Sequence, residues 1–149
     1  MIPPVVVDTN VLVAGLLTSR GAAPTAVILD ELIAGRLPAL LSLDLLTEYR
    51  SVLLRPAIAR RHGLSAEQVD TVLAEIVGSA ILEQDAVCPV DPPDPDDAHV
   101  WALLCARSEA LLITGDARQL AAAKGSPDLR KRVLKPAEFV ERWKDAVAS

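Results

Sequence analysis

Val5-Val6-Val7-Asp8-Thr9-Asn10-Val11-Leu12-Val13 is the stretch on which the fold turns. Apolar residues fill both phases of the alternation, the pattern of a strand covered on both faces, as in the middle of a parallel sheet. Three polar residues interrupt it. A carboxylate buried in such a place without a partner costs several kcal/mol, so Asp8 is paired, hydrogen-bonded or holding a cation. No turn or cap explains an acid inside that run, and no single basic residue is obviously meant for it. The rest of the chain offers more acids instead.

Working outward, Leu111-Leu112-Ile113-Thr114 is a second buried strand, broken by Gly115-Asp116. Shorter strand candidates lie at 37–41, Ile81-Leu82 and Val133-Leu134. Helical patterns separate them. After a loop at Thr18-Ser19-Arg20-Gly21, Pro24 opens a helix that closes near Gly35. Ser42 caps a second through about Leu54, ended by Pro56, with Leu45, Leu46, Tyr49, Val52 and Leu53 on one side and Glu48 at the border of that stripe. Ser65-Ala66-Glu67-Gln68 has capping-box spacing and starts a third that ends at Gly78. The proline-rich segment Pro89-Val90-Asp91-Pro92-Pro93 leads to Asp94, which caps a helix running to about Arg107 with Pro95 at its first position. A short helix through Leu120 follows Asp116, and Pro136 starts a last one bearing Phe139, Val140 and Trp143. Strands alternating with helices predict an α/β fold: a three-layer α/β/α sandwich on a mostly parallel central sheet. There is no internal repeat or linker, so residues 1–149 are expected to form a single domain.

The totals agree with that. A length of 149 residues suits one domain that buries about 70% of its unfolded surface. Hydrophobic residues at 51% and charged residues at 23% describe a soluble globular chain, while aromatics at 3% leave the core to Leu, Val, Ile and Ala. With no long apolar run and no basic-then-apolar leader, the expectation is a cytoplasmic protein away from membranes. Cys88 and Cys105 match no metal spacing and are expected to be reduced, buried thiols. A net charge of −5 argues against a broad cationic surface for nucleic acid. Local basic clusters at Arg55, Arg60, Arg61, His62 and at Arg130, Lys131, Arg132, Lys135 read, taken singly, as solvated surface.

The acids carry the chemistry. Ligands of an open parallel sheet sit beyond the carboxyl ends of its strands, where Asp8 and Asp116 both lie. Asp97 falls in the first turn of its helix, and Glu48 sits on a helix that must pack on the sheet. Asp94 and Asp96 read more simply as complements to a helix dipole, worth about 0.3–1 kcal/mol apiece, and Asp116 alone could be a turn or cap residue. If Asp8, Glu48, Asp97 and Asp116 converge, each pair about 5 Å apart repels by roughly 3 kcal/mol at an effective dielectric of 20. Protonation or divalent cations must then relieve them. An all-oxygen set favours Mg²⁺ or Mn²⁺ over Zn²⁺, and the matching chemistry is metal-assisted phosphodiester hydrolysis.

Val-Val-Asp8-Thr-Asn10, Leu-Leu-Thr-Glu48-Tyr, Asp94-Pro-Asp-Asp97 and Leu-Ile-Thr114-Gly-Asp116 together resemble the ordered acidic motifs of PIN-domain ribonucleases. Lys135-Pro-Ala-Glu-Phe139 resembles the last strand-to-helix step of the branch that contains toxins of toxin–antitoxin pairs. The resemblance covers nearly the whole chain. It implies a PIN-like fold, Asp8, Glu48, Asp97 and Asp116 as catalytic, metal-binding acids, and Thr9, Asn10 and Thr114 as residues that hydrogen-bond and orient them. It also implies one or two Mg²⁺ or Mn²⁺ ions, endonucleolytic cleavage of RNA by an activated water, dimers or higher oligomers, and an antitoxin partner. One departure stands out: many members carry a second Asp two residues after the position of Asp116, where this chain has Arg118.

His99 is expected to face away from the acids, since helix positions two apart diverge by about 200°. Trp101 is expected in the core. Arg20, Arg55 and Arg118 are candidate phosphate contacts. Two other classes remain in play. A haloacid-dehalogenase-type phosphatase also begins from an Asp after its first strand, but needs a proton donor where Asn10 stands. A non-catalytic module could use the same acids to hold a structural cation or a partner's arginines.

Overall fold

The run around Asp8 divides in two. In the computed structural model, which describes residues 2–18, 20–84, 88 and 90–148, only Val5–Val7 is strand (β1), and helix α1 begins at once, spanning Thr9–Leu17. The expected strand through Val13 is therefore corrected. Asp8, at φ −62° and ψ 146°, is the N-cap of α1, and its carboxylate accepts from the Thr9 N–H. β-branched residues in Thr-Asn-Val-Leu-Val mimic a strand, but the cap and the packing of both helix faces outweigh that propensity. Ser19 and Pro89, placed in loops by the sequence, lie outside the described residues.

Helices α2 (Pro24–Ile33), α3 (Leu43–Leu53) and α5 (Ala66–Gly78) begin where proline and serine predict. Ser42 accepts from the Leu45 N–H, and Ser65 and Gln68 form a complete capping box. An additional helix, α4 (Pro56–His62), fills what reads as a basic connection. Pro56 opens it rather than merely ending α3, and Gly63 closes it at φ 70°, a left-handed value natural to glycine. Strands β2 (Leu40–Leu41) and β3 (Ile81–Leu82) are short. A 3-10 turn at Pro95–Asp97 precedes α6 (Ala98–Ala106), and β4 (Leu111–Ile113), α7 (Ala117–Lys124), β5 (Val133–Leu134) and α8 (Pro136–Ala148) complete the chain.

All strand pairs are parallel. β4 lies between β1 and β5, with Val6 opposite Leu112 and Ile113 opposite Leu134, while β2 pairs with β3. An isolated bridge between Val5 and Ala39 sets β2 beside β1, giving the order β3-β2-β1-β4-β5. The direction of progression across the sheet reverses between β1 and β4, which is where a parallel α/β fold opens a crevice. The three-layer α/β/α reading of the sequence holds. One core joins the strands to Leu12, Leu29, Leu45, Leu73, Trp101, Leu104 and Phe139. α1 and α2 cross closely at Gly15, where a Cβ would stand 2.6 Å from the Thr25 carbonyl oxygen.

Two local devices escape a pattern reading. Arg132 turns inward and donates to the carbonyls of Ala110, Leu104 and Arg107, closing the C-terminal end of α6. Cys88 and Cys105 are joined as a disulfide with their Cα atoms 5.2 Å apart, so the expectation of separate thiols is corrected. Their 17-residue separation carries no spacing signal. Among the described residues, no helix is long and apolar enough to cross a membrane.

Candidate active site

Asp8, Glu48, Asp97 and Asp116 line one open cleft of about 660 Å³, together with Thr9, Asn10, Arg55 and Arg61. Each acid arrives by a different route. Asp8 caps α1 at the end of β1, and Asp116 caps α7 just beyond β4, its carboxylate accepting from the Arg118 N–H at 2.8 Å. Glu48 precedes Tyr49 on α3. Tyr49 is fully inward and donates its phenol to the Val7 carbonyl, which turns Glu48 to the cleft border. Asp97 ends the 3-10 turn and leads into α6.

Asp8 is the most enclosed acid, 7% exposed. The Thr9 N–H reaches Oδ1 at 3.0 Å, and the Thr114 hydroxyl reaches Oδ2 at 2.7 Å. Thr114 in turn accepts from the Asp116 N–H at 3.0 Å, tying the β1 and β4 ends together. The Thr9 hydroxyl donates to Glu48. Asn10 is exposed at the cleft and makes no hydrogen bond to any of the four acids. A residue the sequence did not single out, Gln119, is wholly buried and donates to Asp8 Oδ2 at 2.7 Å. Its only sequence signal is a polar side chain one turn into a helix, three residues after the capping Asp116.

The electrostatics bear the mark of crowded acids. Burial pushes the Asp8 carboxyl up, against hydrogen bonds from Thr114, Gln119 and Thr9, and the charge of Glu48 adds to the rise. Desolvation raises Asp97 to about 6, with the charges of Asp8, Asp116 and Asp94 adding to it and Arg118 pulling the other way. Asp97 Oδ2 is buried with no hydrogen-bond partner. Among the described residues, no three His, Cys, Asp or Glu side chains form a ready-made metal cluster; the carboxylates share the cleft without closing on one point. The residues nonetheless suit a hard divalent cation. The orphaned oxygen of Asp97 lacks a hydrogen-bond partner, and the acidic donors are all oxygen, as Mg²⁺ and Mn²⁺ prefer.

The cationic and imidazole groups fall differently from expectation. His99 faces the cleft side, its Nε2 3.5 Å from Glu48 Oε1, so the expectation that it points away is corrected. Asp97 belongs to a tighter turn, not to the α-helix, and the α-helical angle between the two positions does not apply. Arg118 lies with its guanidinium 3.6 Å from Asp116 and 3.7 Å from Asp94. Arg55 and Arg61 stand at the cleft wall, whereas His62 of the same basic cluster bonds to the Leu53 carbonyl and the Leu64 N–H. Arg20 is exposed in the loop after α1. Trp101 is in the core, as its apolar neighbours predict, but its indole N–H is engaged by Gln119 at 2.9 Å.

Comparison with curated proteins and with solved structures gives no match. A family model described as PIN domain matches residues 4–118, a span that contains β1, β4 and all four acids of the cleft. PIN domains are in general nucleases, hydrolases acting on nucleic acid with divalent metals. The match takes in most of the chain, strands β1 to β4 and the acids at the switch point lie inside it, and the chain belongs to the PIN-domain family.

Proposed function

We propose that this protein is a metal-dependent endoribonuclease that hydrolyses phosphodiester bonds, acting as the toxin of a toxin–antitoxin pair. The observation that carries the reading is the meeting of Asp8, Glu48, Asp97 and Asp116 in one cleft at the switch point of a parallel sheet. These four would hold Mg²⁺ or Mn²⁺. When bound, such a cation supplies an activated water for in-line attack and neutralises charge building on the phosphate. The chain's own groups prepare that site. Thr9 steers Glu48, Thr114 steers Asp8 and the start of α7, and Asn10 stands exposed where substrate would pass.

Arg55 and Arg61 are exposed cations from α4 and its N-cap on a cleft that carries four acids, suited to the phosphates of a nucleic-acid backbone. Local positive charge of this kind reconciles an RNA substrate with a net charge of −5. The toxin role, the antitoxin and a homodimer or larger oligomer follow from the resemblance of Lys135-Pro-Ala-Glu-Phe139 and the acidic motifs to that branch. A single core running from Val5 to Val140 supports treating residues 1–149 as one PIN-like domain.

The test is incubation of the purified protein with a mixed RNA pool, with and without Mn²⁺, and mapping of the ends produced. Internal cuts that require Mn²⁺ and disappear in both Asp8→Asn and Asp116→Asn are expected, with circular dichroism confirming that both variants fold. Cleavage that persists in chelator, or in both variants, refutes the reading.

A further inference from the structure

We propose that Gln119 is a positioning residue that leaves Asp8 a single oxygen, Oδ1, to offer a cation, and that the Trp101 indole fixes the direction of the Gln119 amide. The proposal rests on the metal-dependent reading above. Gln119 and Trp101 are both 0% exposed, so water does not compete for their hydrogen bonds. The indole nitrogen is a donor with no acceptor capacity. It lies 2.9 Å from one end of the amide, which must therefore be the oxygen, Oε1. The NH₂ end then has to face Asp8 Oδ2, at 2.7 Å. Flipping the amide would set N–H against N–H and oxygen against carboxylate, two buried mismatches at once. Chemistry alone settles the orientation.

The Thr114 hydroxyl is fixed by the same logic. Its oxygen accepts from the Asp116 N–H at 3.0 Å, so its proton is free to go to Asp8 Oδ2 at 2.7 Å. Oδ2 thus receives two donors and has both lone pairs engaged, whereas Oδ1 receives only the Thr9 N–H, at 3.0 Å. One lone pair of Asp8 is left, on Oδ1. The chain Trp101–Gln119–Asp8 connects the buried face of α6 to the cleft, and removing its middle member frees the carboxylate to rotate out of the orientation that presents Oδ1.

Mg²⁺ binding, measured by calorimetry and by the indole ¹⁵N–¹H resonances, tests this. The chain has two tryptophans, and Trp101→Phe identifies the Trp101 peak. In the wild type, Mg²⁺ should move the Trp101 peak and leave that of Trp143, which packs on Phe139 in α8, in place. Gln119→Met, which keeps volume and removes the bonds to Trp101, Asp8 and Thr114, should weaken Mg²⁺ binding about tenfold or more, the usual scale for residues that orient a metal ligand. Trp101→Phe should weaken it less. The double variant should bind no worse than Gln119→Met, because Trp101 acts only through the amide.

Unchanged affinity in a folded Gln119→Met, or additive losses in the double variant, overturns the proposal. If Gln119→Met does not fold, Trp101→Phe decides: weakened binding supports the relay, and unchanged binding overturns it. A wild type that binds neither Mg²⁺ nor Mn²⁺ refutes the metal-dependent reading itself, and is thereby distinguished from failure of the relay alone.

Discussion

Asp97→Asn should make the cation-free protein more stable at neutral pH. The Asp97 carboxyl titrates at about 6 instead of 3.8, because desolvation and the neighbouring charges of Asp8, Asp116 and Asp94 disfavour its ionised form. At about 1.36 kcal/mol per pH unit, that difference sets a ceiling of roughly 3 kcal/mol. Asp97 is partly open to solvent, and screening by water reduces the expected figure to about 1–2 kcal/mol. The folded state binds the proton more tightly than the unfolded chain. The stability this confers is therefore complete below about pH 4 and is lost as pH rises through about 6.

Urea unfolding followed by circular dichroism, in chelator and at steps from pH 4 to pH 7, reads the difference directly. Wild type and variant should agree at pH 4 and separate as pH rises, with the variant ahead at pH 7. Saturating Mn²⁺, at ~100 times its dissociation constant, should add about 2.7 kcal/mol to the wild type and less to the variant. Addition of the ion would then erase or invert their order. Parallel stability across the pH range in chelator, or a variant less stable at pH 7, would refute the claim that these acids crowd one another.

Two further substitutions probe the scaffold that holds the acids. Tyr49→Phe leaves the Val7 carbonyl without its buried donor and should cost about 1–3 kcal/mol in urea unfolding; a neutral effect would show that the phenol does not anchor α3 to β1. Gly15→Ala forces a Cβ to 2.6 Å from the Thr25 backbone oxygen and should cost about 1–3 kcal/mol by pushing α1 off α2. A thermal midpoint equal to that of the wild type would mean that the crossing has room to spare.

What the sequence determined by itself is what local chemistry decides. Ser42, Ser65 and the prolines at 24 and 136 mark helix starts because a cap or a fixed φ acts within one turn. The apolar residues of Val5–Val7 and Leu111–Ile113 mark buried strands because a strand covered on both faces has no polar alternation, although the first run reads on as strand through Val13. Asp8, Asp97, Asp116 and Thr114 were legible as ordered motifs for the same reason, since each sits at the end of an element that its neighbours specify, and Glu48 was legible at the border of the apolar stripe of α3. Tertiary structure decided the rest. Whether 9–13 is strand or helix depended on what covers both faces, which a β-branched run leaves open. His99 turned toward Glu48 because the turn before it is 3-10 and not α. Gln119 became a partner of Asp8, 111 residues away in sequence, because β1 and β4 are neighbours and α7 folds back over their ends. Such contacts have no local signature: a buried amide, a paired cysteine and an inward arginine are specified by the group on the other side of the contact, and only the folded chain brings that group within reach.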